Sequence, residues 1–380
     1  MSSPKNEQQK RQVISWAEGS LGTVKFGDVV ECANTAERDP LGAGLALRLR
    51  RGRTLGVTEY NDRVEQDIAF YKANYDIIFD EKLSGGRRIS VSDPVVNGLR
   101  RCRFCGRSQP LVHFRKKAHA IPEFLGNKRI FLKNECDECN SWFSVEVEDH
   151  LAKWFGPLRT LCRIHGKRGV PSHKSPDGRK SIEFKNGCLT IDVGQRPDDL
   201  GFSGSNPLCP FDMKLAMPTQ SHIPLRAAKC LVKAACSILP TEELRHFVNT
   251  MKWVRMKESP DQAWKIITFT ILCSFTPGPR PFGDGVSLLL RRKPGILRLP
   301  YMLFVIATAN FILGTLIPFC SKDLAGSVSY KLHHFPVVVP KDYRYGLVEY
   351  SVLDWASTSA EVVDRPFVIH IEKAIEVGKY

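Results

Sequence analysis

The sequence predicts an α+β chain whose middle is a metal-stapled β-β-α unit, set between an N-terminal mixed α/β region and a larger C-terminal α+β region. Three observations carry this prediction. Two Cys-x2-Cys pairs, Cys102/Cys105 and Cys136/Cys139, bracket thirty residues, and each pair presents two thiolates at an angle that tetrahedral Zn²⁺ accepts. Around the second pair the apolar residues follow strand spacing and then helical spacing. Further along, two amphipathic stretches precede a series of apolar runs broken by Pro and Gly.

Taken in order, residues 1–98 form the N-terminal accessory region. Stretches 24–32 and 45–51 read as strands, and 64–73 has helical periodicity. Gly85-Gly86 and Asp93-Pro94 mark a linker. No catalytic signature lies in this region.

Residues 99–170 form the metal-stapled module. A strand over 112–119 ends at a turn with Pro122, and a loop passes through Gly126-Asn127. A second strand over 129–133 leads into the second cysteine pair, and Asn140 opens a helix running through Val145, Val147, Leu151 and Trp154. A plain zinc ribbon separates its pairs by about 15–20 residues. The longer gap here accommodates the strands, His119 and a basic run.

Residues 171–380 open with a hairpin over 181–192 around Asn186-Gly187, a strong two-residue turn signal. Stretches 225–239 and 241–253 read as amphipathic helices, the second with Thr241 as N-cap and Glu242 and Glu243 in its first turn. Stretch 263–340 reads as several strands. Residues 301–318 are almost apolar enough to span a bilayer. Asn310 at the centre, Gly314, Pro318 and the β-branched and aromatic content instead predict two buried strands meeting near Ala309-Asn310. No membrane association is expected.

The chain has 380 residues, enough for two or three domains, and twelve cysteines. Its polar N-terminal stretch carries no secretory signal, so reduced thiols and a cytoplasmic location are expected. The net charge is +15, and from Arg100 to Lys180 there are 18 Lys or Arg against 8 Asp or Glu, a local net of +10. A field of that sign concentrated around the cysteines favours a polyanion, most commonly a phosphate backbone. Arg115, Lys116, Lys117, Lys128 and Arg129 are the candidate phosphate contacts.

Together, Cys102-x2-Cys105, His119-x2-Pro122, Gly126, Asn134 and Cys136-x2-Cys139-Asn140 resemble the HNH nucleases of the ββα-metal type in their four-cysteine zinc form. The resemblance covers about residues 100–155. It implies that Cys102, Cys105, Cys136 and Cys139 hold a structural zinc and that His119 is the general base activating a water. Asn140 helps hold a catalytic Mg²⁺ or Mn²⁺, and Asn134 is the middle residue that braces the loop and the histidine. Many members carry an acid immediately before the histidine, where this chain has Ala118. Glu148 is the candidate acid in its place. It lies eight residues beyond Asn140, two turns on and rotated partly around an ideal α-helix.

The expected activity is metal-dependent hydrolysis of phosphodiester bonds in nucleic acid, with double-stranded DNA as partner; the resemblance also implies a bacterial defence or restriction context. The C-terminal region, unexplained by this chemistry, is expected to sense a small-molecule activator, recognise a substrate feature or build a homo-oligomer. Two other readings stand beside this one. In the first, Ala118 marks a lost active site in a non-catalytic zinc protein that binds nucleic acid. In the second, a regulatory protein binds acidic ligands on its basic surface.

Overall fold

The computed structural model describes residues 46–49, 53–54, 57–95, 97–166, 168–185, 188–192, 211–257, 268–278, 280–324, 330, 332–339, 343 and 345–371. The strand expected over 24–32 and the Asn186-Gly187 turn lie outside these residues.

Three elements begin the described chain, β1 (Ala46–Leu49), β2 (Arg53–Thr54) and α1 (Val57–Asn74), and β3 (Tyr75–Lys82) and β4 (Ile89–Val91) follow. The central module contains β5 (Ala118–His119), a 3₁₀ turn (Glu123–Leu125), β6 (Ile130–Leu132) and α2 (Asp137–Phe143). A π-helical turn (Ser144–Glu148) leads into α3 (Asp149–Phe155), and α4 (Pro157–Leu161) follows. Next come β7 (His173–Lys174), β8 (Ser181–Lys185), β9 (Cys188–Asp192), β10 (Phe211–Pro218) and α5 (Pro224–Ile238). A 3₁₀ helix (Thr241–His246) precedes α6 (Val248–Val254). The remaining strands are β11 (Thr270–Phe275), β12 (Val286–Arg292), β13 (Met302–Thr308), β14 (Phe311–Leu316), β15 (Glu349–Asp354) and β16 (Asp364–Ile371).

Among the described residues the largest sheet has seven strands, all in antiparallel pairs, in the order β2-β15-β11-β14-β13-β12-β3. Its edge strand β3 comes from the N-terminal stretch and pairs with β12, more than 200 residues away. Strand β13 explains the long apolar run in the sequence. Alternate side chains of a strand point to opposite faces, and here both faces are covered. Met302, Phe304 and Ile306 join the core shared with the cysteine module, whereas Leu303, Val305 and Ala307 join a second core with Val64 and Tyr71 of α1. As expected, β13 and β14 meet at Ala309-Asn310. Ala309 takes a left-handed φ of 50°, which costs a non-glycine residue of order 1 kcal/mol. The Asn310 amide offsets this by donating to Thr276 O and Gly278 O at 2.8 and 2.6 Å.

Three local expectations change. The strand over 112–119 shrinks to Ala118–His119, because the preceding backbone wraps the cysteine knuckle: Asp137 N–H donates to His113 O, and Lys116 N–H donates to the Asp137 carboxylate. The helix begins at Asp137, with Cys136 as its N-cap, so Asn140 lies within it. The stretch 241–253 divides into a 3₁₀ helix and α6, and the residue before the first is Pro240. No described helix is long and apolar enough to cross a membrane.

The second core also holds a pH-sensitive group. His334 is 5% exposed, lies edge-on to Tyr350, and has its Nδ1 3.4 Å from Ser274 Oγ. Burial, helped by nearby Arg63 and His333, pushes its pKa down to about 3. A histidine in the unfolded chain titrates near 6.5. Between those values the unfolded state binds more protons, so this contribution is complete above pH 6.5 and is lost as the pH falls toward 3. At pH 4 the expected loss is about 3 kcal/mol. Urea unfolding at pH 7 and pH 4 measures it, and His334→Gln should flatten the dependence. An equally steep dependence in that variant would contradict the assignment.

Candidate functional site

The four cysteine sulfurs of Cys102, Cys105, Cys136 and Cys139 lie within 4.8 Å of one another. Among the described residues this is the one such cluster of three or more His, Cys, Asp or Glu ligand atoms. Cys105 Sγ and Cys136 Sγ are 3.8 Å apart, which is the edge of a tetrahedron with Zn–S bonds of about 2.3 Å. Backbone N–H groups of Cys136 and Cys139 point at Cys102 Sγ and Cys136 Sγ, both at 3.5 Å. The Cys139 thiol, reinforced by backbone N–H groups, draws the Cys102 pKa down to about 4, while burial and the Cys102 charge push Cys136 up to about 11. Four cysteine sulfurs packed this closely form a donor set that fits structural zinc.

The first knuckle is also joined to the C-terminal region. Arg103, between Cys102 and Cys105, donates to the carbonyls of Cys236, Ser237 and Leu239 at 2.9–3.1 Å and is held by Asp93. A guanidinium there satisfies carbonyls that a helix end leaves unpaired and complements the negative end of its dipole. The C-terminus of α5 is thereby fastened to the cysteine module.

Strand β5 alternates as strands do: Ala118 is buried at 1% exposure and faces Leu132 across the ladder, whereas His119 is half-buried opposite Phe131. The imidazole leans on the Phe131 ring with centroids 4.7 Å apart. Neither ring nitrogen has a protein hydrogen-bond partner among the described residues, so both are available to a water. Burial lowers the His119 pKa, with Lys233 and Lys128 acting in the same direction and Glu123 and Glu148 opposing. The ring is therefore neutral at neutral pH, the state a proton acceptor requires.

The residue that braces the loop is Asn127. Fully buried, it donates from Nδ2 to Ile121 O and Ile130 O at 2.7 and 2.8 Å, while its Oδ1 accepts from Arg129 and Ile130 N–H. The side chain staples the start of the β5–β6 loop to its end. Asn134 works elsewhere: its Oδ1 accepts from Asp93 N–H and its Nδ2 donates to Arg101 O. Its backbone carbonyl also accepts from Arg103 N–H. It secures the linker to the first knuckle, which corrects the expectation that it braces the His119 loop. The Gly126-Asn127 pair was visible in the sequence, but only as a loop.

The helix carries the next two residues. Asn140 is part-exposed in α2, and its side-chain amide has no partner among the described residues. On an ideal α-helix, Glu148 would sit about 80° around from it. Here Asp149 N–H bonds to Ser144 O, an i→i+5 turn. Such a turn absorbs one additional residue, bringing Glu148 to about 20° from Asn140. The π turn thus places both side chains on one helix face.

Behind that face is a group that sequence reasoning missed. Lys233, on α5, is fully buried, with Nζ 3.1 Å from Glu148 Oε1, 3.2 Å from Glu135 Oε2 and 3.2 Å from the His119 carbonyl oxygen. Burial alone would discharge this ammonium, but Glu135 and Glu148 outweigh it and raise its pKa. Burial raises Glu135 to about 7. Glu148, expected as a candidate cation ligand, is only partly buried and keeps Oε2 free of protein partners among the described residues.

The basic residues divide into two groups. Arg115 and Lys117 are exposed and make no hydrogen bond or ion pair among the described residues. Lys116 is exposed and reaches Ser141 Oγ at 2.7 Å. Lys128 is paired with Glu123 at 2.6 Å and with Gly166 O at 2.9 Å. Arg129 is committed to the fold through Arg87 O and Glu81, with its side chain 15% exposed. This corrects its expected availability to phosphate.

No curated protein and no solved structure matches the chain. A comparison with protein families does match residues 102–155, to the family described as HNH endonuclease. That interval runs from the first zinc-type cysteine to the last residue of α3 and contains His119, Asn127, Asn140, the π turn and Glu148. Residues 102–155, with their Cys102/Cys105/Cys136/Cys139 cluster, thus form an HNH endonuclease domain within the chain.

Proposed function

We propose that the 102–155 domain is an active, metal-dependent endonuclease that hydrolyses phosphodiester bonds in DNA. The observation that carries this reading is the π turn. It turns an acid, Glu148, toward the face that presents Asn140 two turns earlier, where Lys233 holds it near the His119 backbone, beside a neutral histidine whose ring nitrogens are unencumbered.

In this reading His119 accepts a proton from the attacking water, a task matched to its neutral state near operating pH. Phe131 holds the ring plane, and Asn127 closes the loop so that β5 and β6 keep their spacing. Glu148 Oε2 is the ligand that would hold Mg²⁺ or Mn²⁺ directly; Asn140, about two turns along the same face, would act on the bound phosphate or through a water. Such an ion, when bound, supplies Lewis-acid stabilisation of charge on the phosphate and the leaving oxygen. Cys102, Cys105, Cys136 and Cys139 would hold the structural zinc outside the reaction and fix the start of α2. Arg115, Lys116 and Lys117 supply phosphate contacts that position the strand without reading its sequence.

Supercoiled plasmid incubated with the full chain and Mg²⁺ or Mn²⁺ tests this reading. Nicking that EDTA stops is expected, as is DNA retention that weakens steeply with salt. Salt-sensitive retention with no cleavage under either cation would instead identify a non-catalytic zinc module that binds nucleic acid.

A further inference from the structure

The matched segment is not the whole of its own centre. Helix α5, which starts 69 residues beyond that segment, is docked along its length against it. At its N-terminal end, Ile223 N–H donates to His150 Nδ1 at 3.0 Å and Arg226 pairs with Glu146 at 2.7 Å. At its C-terminal end, Arg103 of the first knuckle binds the last carbonyls. In between, Lys233 touches the backbone of the proton acceptor and the side chain of the candidate cation ligand at once.

We propose that Lys233, with Glu135 as its buried counter-ion, is a positioning residue of the nuclease centre, fixing the Glu148 carboxylate relative to the His119 backbone. The inference rests on the nuclease reading above. Its argument is geometric. Lys233 is fully buried and cannot reach a phosphate, so its action passes through the groups it holds. Its three oxygen neighbours, two hydrogen-bond acceptors and one ion-pair partner, belong to three different pieces of the centre: the end of β5, the residue before the second knuckle, and the last residue of the π turn. The hydrogen bond to Glu148 Oε1 leaves Oε2 without a protein partner among the described residues, on a side chain that is partly exposed. Held this way, the carboxylate loses its rotamer freedom before any ion arrives, which is how preorganised sites avoid an ordering cost during reaction. It also follows that a 102–155 fragment lacks part of its own site.

A purely structural role is the competing account, because removing one member of a buried charge group destabilises a fold by leaving the others uncompensated. The double variant Lys233→Met with Glu135→Gln separates the two accounts. It removes the buried pair at nearly constant volume, while Glu148 can still reach water. The experiment uses the full chain, plasmid and Mn²⁺, with thermal unfolding, kcat, KM and the Mn²⁺ concentration for half-maximal rate as readouts.

The single Lys233→Met variant should unfold at lower temperature, and the double variant should recover most of that loss. In the double variant kcat should nonetheless fall about tenfold, half-activation should need several times more Mn²⁺, and KM for DNA should stay within about twofold. Recovery of wild-type kcat together with stability would overturn the proposal. If the double variant fails to fold, Lys233→Arg answers the same question, since it keeps the buried positive charge while changing its distances to Glu148 and the His119 carbonyl. A wild-type rate and Mn²⁺ response there would equally overturn it, and a reduced rate with higher Mn²⁺ demand supports it. Cleavage by none of the proteins, wild type included, overturns the nuclease reading and this inference with it.

Discussion

Replacing His119 with Ala is expected to reduce plasmid nicking about 10²–10⁴-fold, the range a positioned general base or acid contributes. The expectation depends on the site's construction. The imidazole has no protein partner on its ring nitrogens among the described residues, and it leans on Phe131 without sealing the core. Truncation therefore leaves no buried polar group stranded, and the fold should survive. The loss should fall on kcat with DNA retention nearly unchanged, because the phosphate contacts come from Arg115, Lys116 and Lys117. Zinc content should stay at the wild-type level. Equal nicking by wild type and His119→Ala would remove His119 from the chemistry.

Replacing Cys136 with Ser should have the largest effect on stability. Serine is a good N-cap, so the cap on α2 now made by the Cys136 sulfur and Cys139 N–H survives. What the variant loses is a thiolate in a four-sulfur cluster. Apparent zinc-binding free energies in small structural sites reach about 10–16 kcal/mol, and much of that is folding free energy. Elemental analysis should show zinc lost, and unfolding should shift by several kcal/mol even though the knuckle is also tied to α5 through Arg103. Nuclease activity should disappear as well, since Asn140 lies one turn from the site. Full zinc content in the variant would contradict four-cysteine ligation.

What could be read from the sequence follows the range of the forces involved. Local patterns were legible. Val64 lies within α1, the Ser181–Asp192 stretch is a pair of strands, and the apolar run around Asn310 is two strands meeting where an amide satisfies two carbonyls. The cysteine spacing likewise revealed the cluster. Elements shaped by the cysteine cluster depart from the sequence pattern. Residues 112–117 have strand-like composition, but their hydrogen bonds go to the knuckle. The start of the helix moved to Asp137 because a cysteine sulfur can cap it. Long-range relations left no local mark. Lys233 looks like one cation on an amphipathic helix until folding brings it 98 residues back to Glu135. Strand β3 finds β12 only in the completed sheet. The π turn is intermediate: Ser144–Glu148 is unremarkable in sequence, yet its one additional residue decides which face Glu148 occupies.

The central claim is that Glu148, held near His119 by Lys233, binds the divalent cation despite Ala118. Anomalous diffraction from crystals of the full chain soaked in Mn²⁺ addresses it without relying on turnover. A manganese peak at ligand distance from Glu148 Oε2, with His119 within reach of a water on that ion, is the predicted result. Saturating Mn²⁺ that leaves this face empty, or a peak bound away from Glu148, would contradict it.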